Sequence, residues 1–228
     1  MSALPQLAAA FAPSLLPEMG PPGDHTGNPA ALPDQSLAFI ISAANLIGAK
    51  RAVEFGSGRS TAAFLDAGLT LTSIEDNQTW LADTEKAISG KPRERWSAIV
   101  RPLSTEWEGL VPFRDWAFGR DIVEPLEEAD LVLIDSPHFV PFREATLINA
   151  LRHARHALVI LDDSRIPTVQ QFCDRIARQN PKLLHRRVRV GHGLDLFAHS
   201  DSADIRSIRG PIEVAKGWRR FRIGYLKG

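Results

Sequence analysis

Cysteine is nearly missing from this chain of 228 residues: Cys173 stands alone, so no internal disulfide can form, and no Cys/His cluster has the spacing of a zinc site. A reducing, cytoplasmic setting is therefore expected. An excess of charge is missing too. Lys plus Arg and Asp plus Glu number 27 each, so no global field draws the chain toward nucleic acid or an anionic membrane. Long apolar runs are also absent. Nowhere do about 18 apolar residues follow one another without charge, which excludes a membrane span on length. The Ala-rich start lacks a basic leading region and is broken by Pro5, Pro13 and Pro17, so no signal peptide is read there.

What is present is the composition of one globular domain with a Pro- and Gly-rich leader over residues 1–34. Asp34 or Ser36 is placed to cap a first helix over Leu37 to Leu46, which Gly48 stops. Short apolar runs then alternate with amphipathic stretches. The expected strands are Arg51–Phe55, Leu69–Glu75, Ser97–Pro102, Asp130–Asp135 and Ala157–Asp162. The helices expected between and after them are Ser60–Ala67, Thr79–Ile88, Phe142–His153 and Pro167–Gln179. That rhythm predicts an α/β domain over residues 35–200, a parallel sheet with helices on both faces. The runs LLHRRVRVG and HGLDLFAHS read as a closing antiparallel hairpin, with the charges of His185 to Arg189 on a solvated face. Residues 201–228 form a basic extension, with seven Lys/Arg against three Asp/Glu, as a cap or interface arm of a homo-oligomer.

The segment AVEFGSGRSTAAFL carries most of the chemistry. An apolar strand runs into Gly56 and Gly58 and then into a helix, a turn that lets backbone approach a ligand closely. A dinucleotide-binding turn would place a third glycine at Thr61 and an apolar residue at Glu54, so both positions disfavour NAD and an oxidoreductase. A carboxylate two residues before the first glycine suits a ligand with an ammonium group. S-adenosylmethionine (SAM) carries both an ammonium and a sulfonium. Glu75 ends the next strand, 17 residues after Gly58, where a carboxylate can accept both ribose hydroxyls.

Through VEFGSGRST and SIEDNQTW, over about residues 36 to 198, the sequence resembles the class I SAM-dependent methyltransferases. The resemblance implies a three-layer Rossmann-like fold whose mostly parallel, seven-stranded sheet ends in an antiparallel hairpin. It also implies that Glu54, Gly56, Ser57, Gly58, Ser60 and Thr61 hold the methionine part of SAM, with Glu75 on the ribose and Asp76 beside the adenine. Trp80 is expected in the core or as a wall of the adenine site.

At the far edge, ADLVLIDSPHF delivers Asp135, Ser136 and His138 to the carboxyl end of a strand, where ligands of open α/β sheets bind. HALVILDDS brings Asp162 and Asp163 to the same edge. Here the sequence is similar to the catechol and caffeoyl-CoA O-methyltransferases, which implies Mg²⁺ on Asp135, Asp162 and Asp163. The alternative is that Asp162 and Asp163 cap the helix near Ile166 while Asp135 orients SAM. Asp135 and His138 are the candidate catalytic groups, His138 as a general base. The connection Leu103 to Glu128 reads as an acceptor loop or short helices, with Ser104 and Thr105 near the adenine or simply opening a polar loop. Asp24-His25-Thr26 is a lid or a flexible arm. The activity implied is methyl transfer to a small-molecule or glycan acceptor, on oxygen. A SAM-binding module without catalysis is the alternative.

Overall fold

Five residues, Arg51–Phe55, make strand β1, and all but the first are buried because both faces of the strand are covered. In the computed structural model, which describes residues 32–108, 111–116, 118–137 and 142–200, β1 runs parallel to β2 (Thr70–Glu75) and to β6 (Leu131–Ile134). Beyond β2 lies β3 (Trp96–Val100), and beyond β6 lies β7 (Leu158–Leu161), both parallel to their neighbours. The sheet closes with β9 (Leu194–His199) antiparallel to β7 and β8 (Leu183–Val188) antiparallel to β9. The order β3-β2-β1-β6-β7-β9-β8 gives seven strands, mostly parallel, with a terminal hairpin. The chain turns from one half of the sheet to the other between β1 and β6, and the cleft of such sheets opens outside the carboxyl ends of these two strands.

Alternate side chains of each strand feed two separate cores. Val53, Phe55, Val132, Ile134, Val159 and Leu161 pack against α4 (Arg120–Glu128), α5 (Arg143–His153) and α6 (Pro167–Gln179) through residues such as Ile122, Leu147 and Phe172. Ala52, Leu71, Leu133, Ile160 and Leu196 pack on the other face against α1 (Asp34–Leu46) and α2 (Arg59–Asp66), through Phe39, Ile40 and Phe64. Helix α3 (Gln78–Ala87) follows β2. Each fully buried Leu, Ile or Phe stabilises the layers by about 1.5–3 kcal/mol, which makes the strands rigid rails for the loops at their ends.

Four local expectations are corrected. Helix α1 is capped by Pro33 rather than by the side chain of Asp34 or Ser36; Asp34 instead pairs with Arg59, and Ser36 is buried. The connection after β3 is neither a plain loop nor only short helices, because Ser104–Glu108 (β4) and Val111–Asp115 (β5) pair as a separate antiparallel hairpin ahead of α4. Alternation in β8 does not put His185 and Arg187 on a solvated face. Both turn onto the fully buried Asp195, at 2.6 Å from His185 Nε2 and 3.1 Å from Arg187 Nε, and Arg187 also bonds Asp174. Asp162 and Asp163 do not cap α6, whose N-cap is Ile166 with no side-chain cap bond. Among the described residues no helix is long and apolar enough to cross a membrane. Asp24-His25-Thr26, the tail from Asp201 and His138 lie outside the described residues.

Candidate functional site

The glycine turn sits at the reversal point of the sheet. Gly56 has φ +93°, and a Cβ there would lie 3.0 Å from Ser136 Cβ at the end of β6, so a side chain is excluded by conformation and by space together. Gly58, at φ +149°, faces the Trp80 indole, which a Cβ would meet at 3.7 Å. Positive φ at both positions, with a close approach to Ser136 at Gly56, accounts for the two glycines.

Glu54 lies beneath this turn and is wholly buried. Its carboxylate accepts hydroxyls from Ser60 at 2.6 Å, Thr61 at 2.5 Å and Ser73 at 2.6 Å. Thr61 in turn accepts the Gly58 backbone N–H at 2.9 Å, and Ser73 accepts the Trp96 indole N–H at 2.8 Å. One carboxylate thereby ties β1, β2, β3 and the first turn of α2 together. Thr61 replaces the third glycine of a dinucleotide turn with a hydroxyl that donates to Glu54 and accepts from Gly58. Burial pushes the Glu54 carboxyl up to about 7 against the three hydroxyl bonds, with the nearby Glu75 charge adding to the rise.

Glu75 closes the turn from the β2 side. One of its oxygens accepts both the backbone N–H and the hydroxyl of Ser57, at 2.8 and 2.9 Å; the other accepts the N–H groups of Asp76 and Asn77, at 3.0 and 3.1 Å. Burial raises its pKa, and these bonds oppose the rise. Asn77 caps α3 by accepting from Thr79 and Trp80, and the Trp80 indole N–H donates to the Ser57 carbonyl. Trp80 is not a core residue. It is 44% exposed, and Val100, paired in register with Glu75 on β3, is the other exposed large apolar side chain among the described residues.

The opposite wall is ionic. Asp135 follows β6, its N–H bonded to the Phe55 carbonyl at 3.0 Å. Arg143, in the first turn of α5 and almost completely buried, reaches back across it. Its Nε donates to the Pro137 carbonyl at 3.0 Å, Nη1 to Asp163 at 2.7 Å, and Nη2 to the Asp135 carbonyl, with the Asp135 carboxylate 3.4 Å away. Asp162 is buried, and its Oδ1 has no hydrogen-bond partner among the described residues. The hairpin tip brings His192 over this pair. Its Nδ1 lies 3.7 Å from Asp162 and 3.6 Å from Asp163, fixed by bonds from Arg165 N–H to the His192 carbonyl and from Ser164 N–H to the Gly193 carbonyl, both 3.0 Å. Hydrogen bonding to Asp162 raises the His192 pKa. Burial pushes Asp135 up to about 8; Arg143 opposes this, while Asp162, Asp163 and Glu54 reinforce it.

Ligand-type atoms that lie within 4.8 Å of one another belong to Asp162, Asp163 and His192; Asp135 does not join them. The trio Asp135, Asp162 and Asp163 is thus split by a guanidinium and does not fit a shared divalent ion. Neither Arg143 nor His192 was legible as a site residue. The available signal was an arginine eight positions after Asp135 in a helix's first turn, and a histidine between two glycines at a hairpin tip.

No family model and no curated protein matches the chain. Solved structures do match. The SAH-bound methyltransferase PaMTH1 of Podospora anserina is 13% identical, covering 87% of this chain and 88% of its own, at a TM-score of 0.55. A methyltransferase of Geobacter sulfurreducens is 12% identical, with 75% and 80% covered and a TM-score of 0.54. A Staphylococcus aureus protein classed provisionally as a caffeoyl-CoA O-methyltransferase is 16% identical, with 72% and 83% covered and a TM-score of 0.53. The fold is that of the class I methyltransferases, as the sequence resemblance implied.

Proposed function

We propose that this chain is a SAM-dependent methyltransferase acting on oxygen of a small-molecule or glycan acceptor. The observation that carries the reading is the joining of two walls at one reversal point: a glycine turn braced by buried carboxylates, and a protonatable aspartate across from it. Gly56, Ser57 and Gly58 would lie against the methionine part of the cofactor. Glu54, enclosed by Ser60, Thr61 and Ser73, acts on it through the loop that it braces. Glu75 would exchange its two bonds from Ser57 for bonds from ribose hydroxyls, since its four acceptor positions are all in use. Asp76, Trp80 and Val100 would border the adenine, with the exposed indole supplying an apolar face.

Bound SAM supplies an electrophilic methyl group on a sulfonium that leaves as a thioether. On the protein side, Asp135 accepts the proton of the acceptor hydroxyl, and its elevated pKa suits that exchange near neutral pH. Arg143 holds the Asp135 and Pro137 carbonyls, and so sets where that carboxyl stands. His138, outside the described residues, remains a second proposed base.

Isothermal titration with SAM, S-adenosylhomocysteine (SAH) and NAD tests the reading without an acceptor. Micromolar binding of the first two and silence from NAD is expected. Binding of NAD alone would move the protein to oxidoreductase chemistry, and silence from all three would leave the glycine turn as a tight strand-to-helix connection with no ligand.

A further inference from the structure

The resemblance to metal-dependent O-methyltransferases implies a divalent cation at the acidic edge, yet Arg143 occupies the space between two of the three carboxylates concerned. We infer that the Arg143 guanidinium is the resident cation between Asp135 and Asp163, so that the acceptor side is organised by the chain itself and excludes a divalent metal shared by these two carboxylates. Three observations support this. The side chain is 5% exposed, and each of its three nitrogens is directed at an oxygen of the β6 or β7 end: the carbonyls of Pro137 and Asp135 and the carboxylate of Asp163. A metal sharing Asp135 and Asp163 would have to displace Nη1 from the Asp163 carboxylate and stand against the guanidinium charge, 3.4 Å from the Asp135 carboxylate, which is costly. On its other side Asp163 faces His192, so the carboxylate already has a nitrogen partner at each oxygen. The planar fork adds what a spherical ion does not. It holds the backbone on both sides of Ser136, the residue packed against Gly56, and thereby couples the acceptor edge to the glycine turn.

The inference rests on the methyltransferase reading only for the meaning of "acceptor side"; the metal test reads out without cofactor or acceptor. The full chain is stripped with EDTA and titrated with Mn²⁺, free ion being followed by electron paramagnetic resonance. Into the millimolar range, wild type should show no Mn²⁺ binding that Asp135→Asn removes. Arg143→Met, checked for folding by circular dichroism, should bind one Mn²⁺ per chain on the order of tenfold more tightly, and adding Asp163→Asn should remove the gain. Binding of one Mn²⁺ to wild type that Asp135→Asn abolishes would overturn the inference, as would a folded Arg143→Met variant with no gain. Should that variant fail to fold, the wild-type titration decides alone. A parallel SAH titration in EDTA reports on the cofactor reading separately: its silence would count against SAM binding and leave the metal result standing.

Discussion

The two walls of the cleft are built from the same residue type by opposite means. Around β1 and β2, the buried carboxylates Glu54 and Glu75 are satisfied by hydroxyls and backbone N–H groups, with no cation among their bonds. Around β6 and β7, Asp135 and Asp163 are met by Arg143, and Asp162 and Asp163 by His192. Neutral donors fix a shape, and their bonds are short and directional. Fixed cations set a field: burial raises the proton affinity of Asp135, and Arg143 opposes that rise. The first wall is thus suited to a ligand of constant form and the second to a proton transfer.

The comparison is broken most strongly at Asp135. Asp135→Asn should lower methyl transfer by roughly 10²–10⁴-fold while leaving SAH affinity within a few-fold, and the wild-type rate should rise with pH up to about 8 and then level off, as expected when a base must lose its proton. Initial rates across pH on a hydroxyl acceptor measure both. Glu75→Ala should do the reverse, weakening SAH binding by roughly 10–100-fold, the worth of charge-assisted bonds to two hydroxyls. A Glu75→Ala protein with unchanged affinity would remove the ribose assignment.

The smallest effect sharpens the same contrast. Glu54 has a folded pKa of about 7 against an ordinary value of 4.5, so the folded state holds this proton more firmly than the unfolded chain. Its stabilising share is present in full below about pH 4.5 and is lost as pH rises through 7, a cost on the order of 3 kcal/mol above that window. Wild type should therefore lose Tm between pH 5 and 8 more steeply than Glu54→Gln, by on the order of 5 °C. Parallel melting curves would contradict the assignment.

The sequence made the rails of this molecule legible and left its cross-connections hidden. β1, β6 and β7 are buried on both faces, so their apolar runs stand out, and the two glycines mark a place where strand passes into helix through positive φ. Helical spacing leaves Trp80 open between the core and a wall of the adenine site, because it cannot distinguish a side chain pointing inward from one that is 44% exposed. The β4–β5 hairpin escaped notice because STEWE and VPFRD mix charge with apolar residues and never alternate cleanly. Arg143, His192 and the His185–Asp195 pair act through space between different elements, and the periodicity of any one element carries no information about such meetings.

Placement of the cofactor is the central claim, and Trp80 reports on it directly. Its indole N–H bonds to the carbonyl of Ser57, the residue that releases Glu75 to a ribose in the proposed placement. In a proton–nitrogen correlation spectrum, with the resonance assigned by its loss in Trp80→Phe, SAH should shift the Trp80 indole signal saturably at micromolar concentration. A folded protein whose Trp80 signal stays unmoved through millimolar SAH would contradict the account.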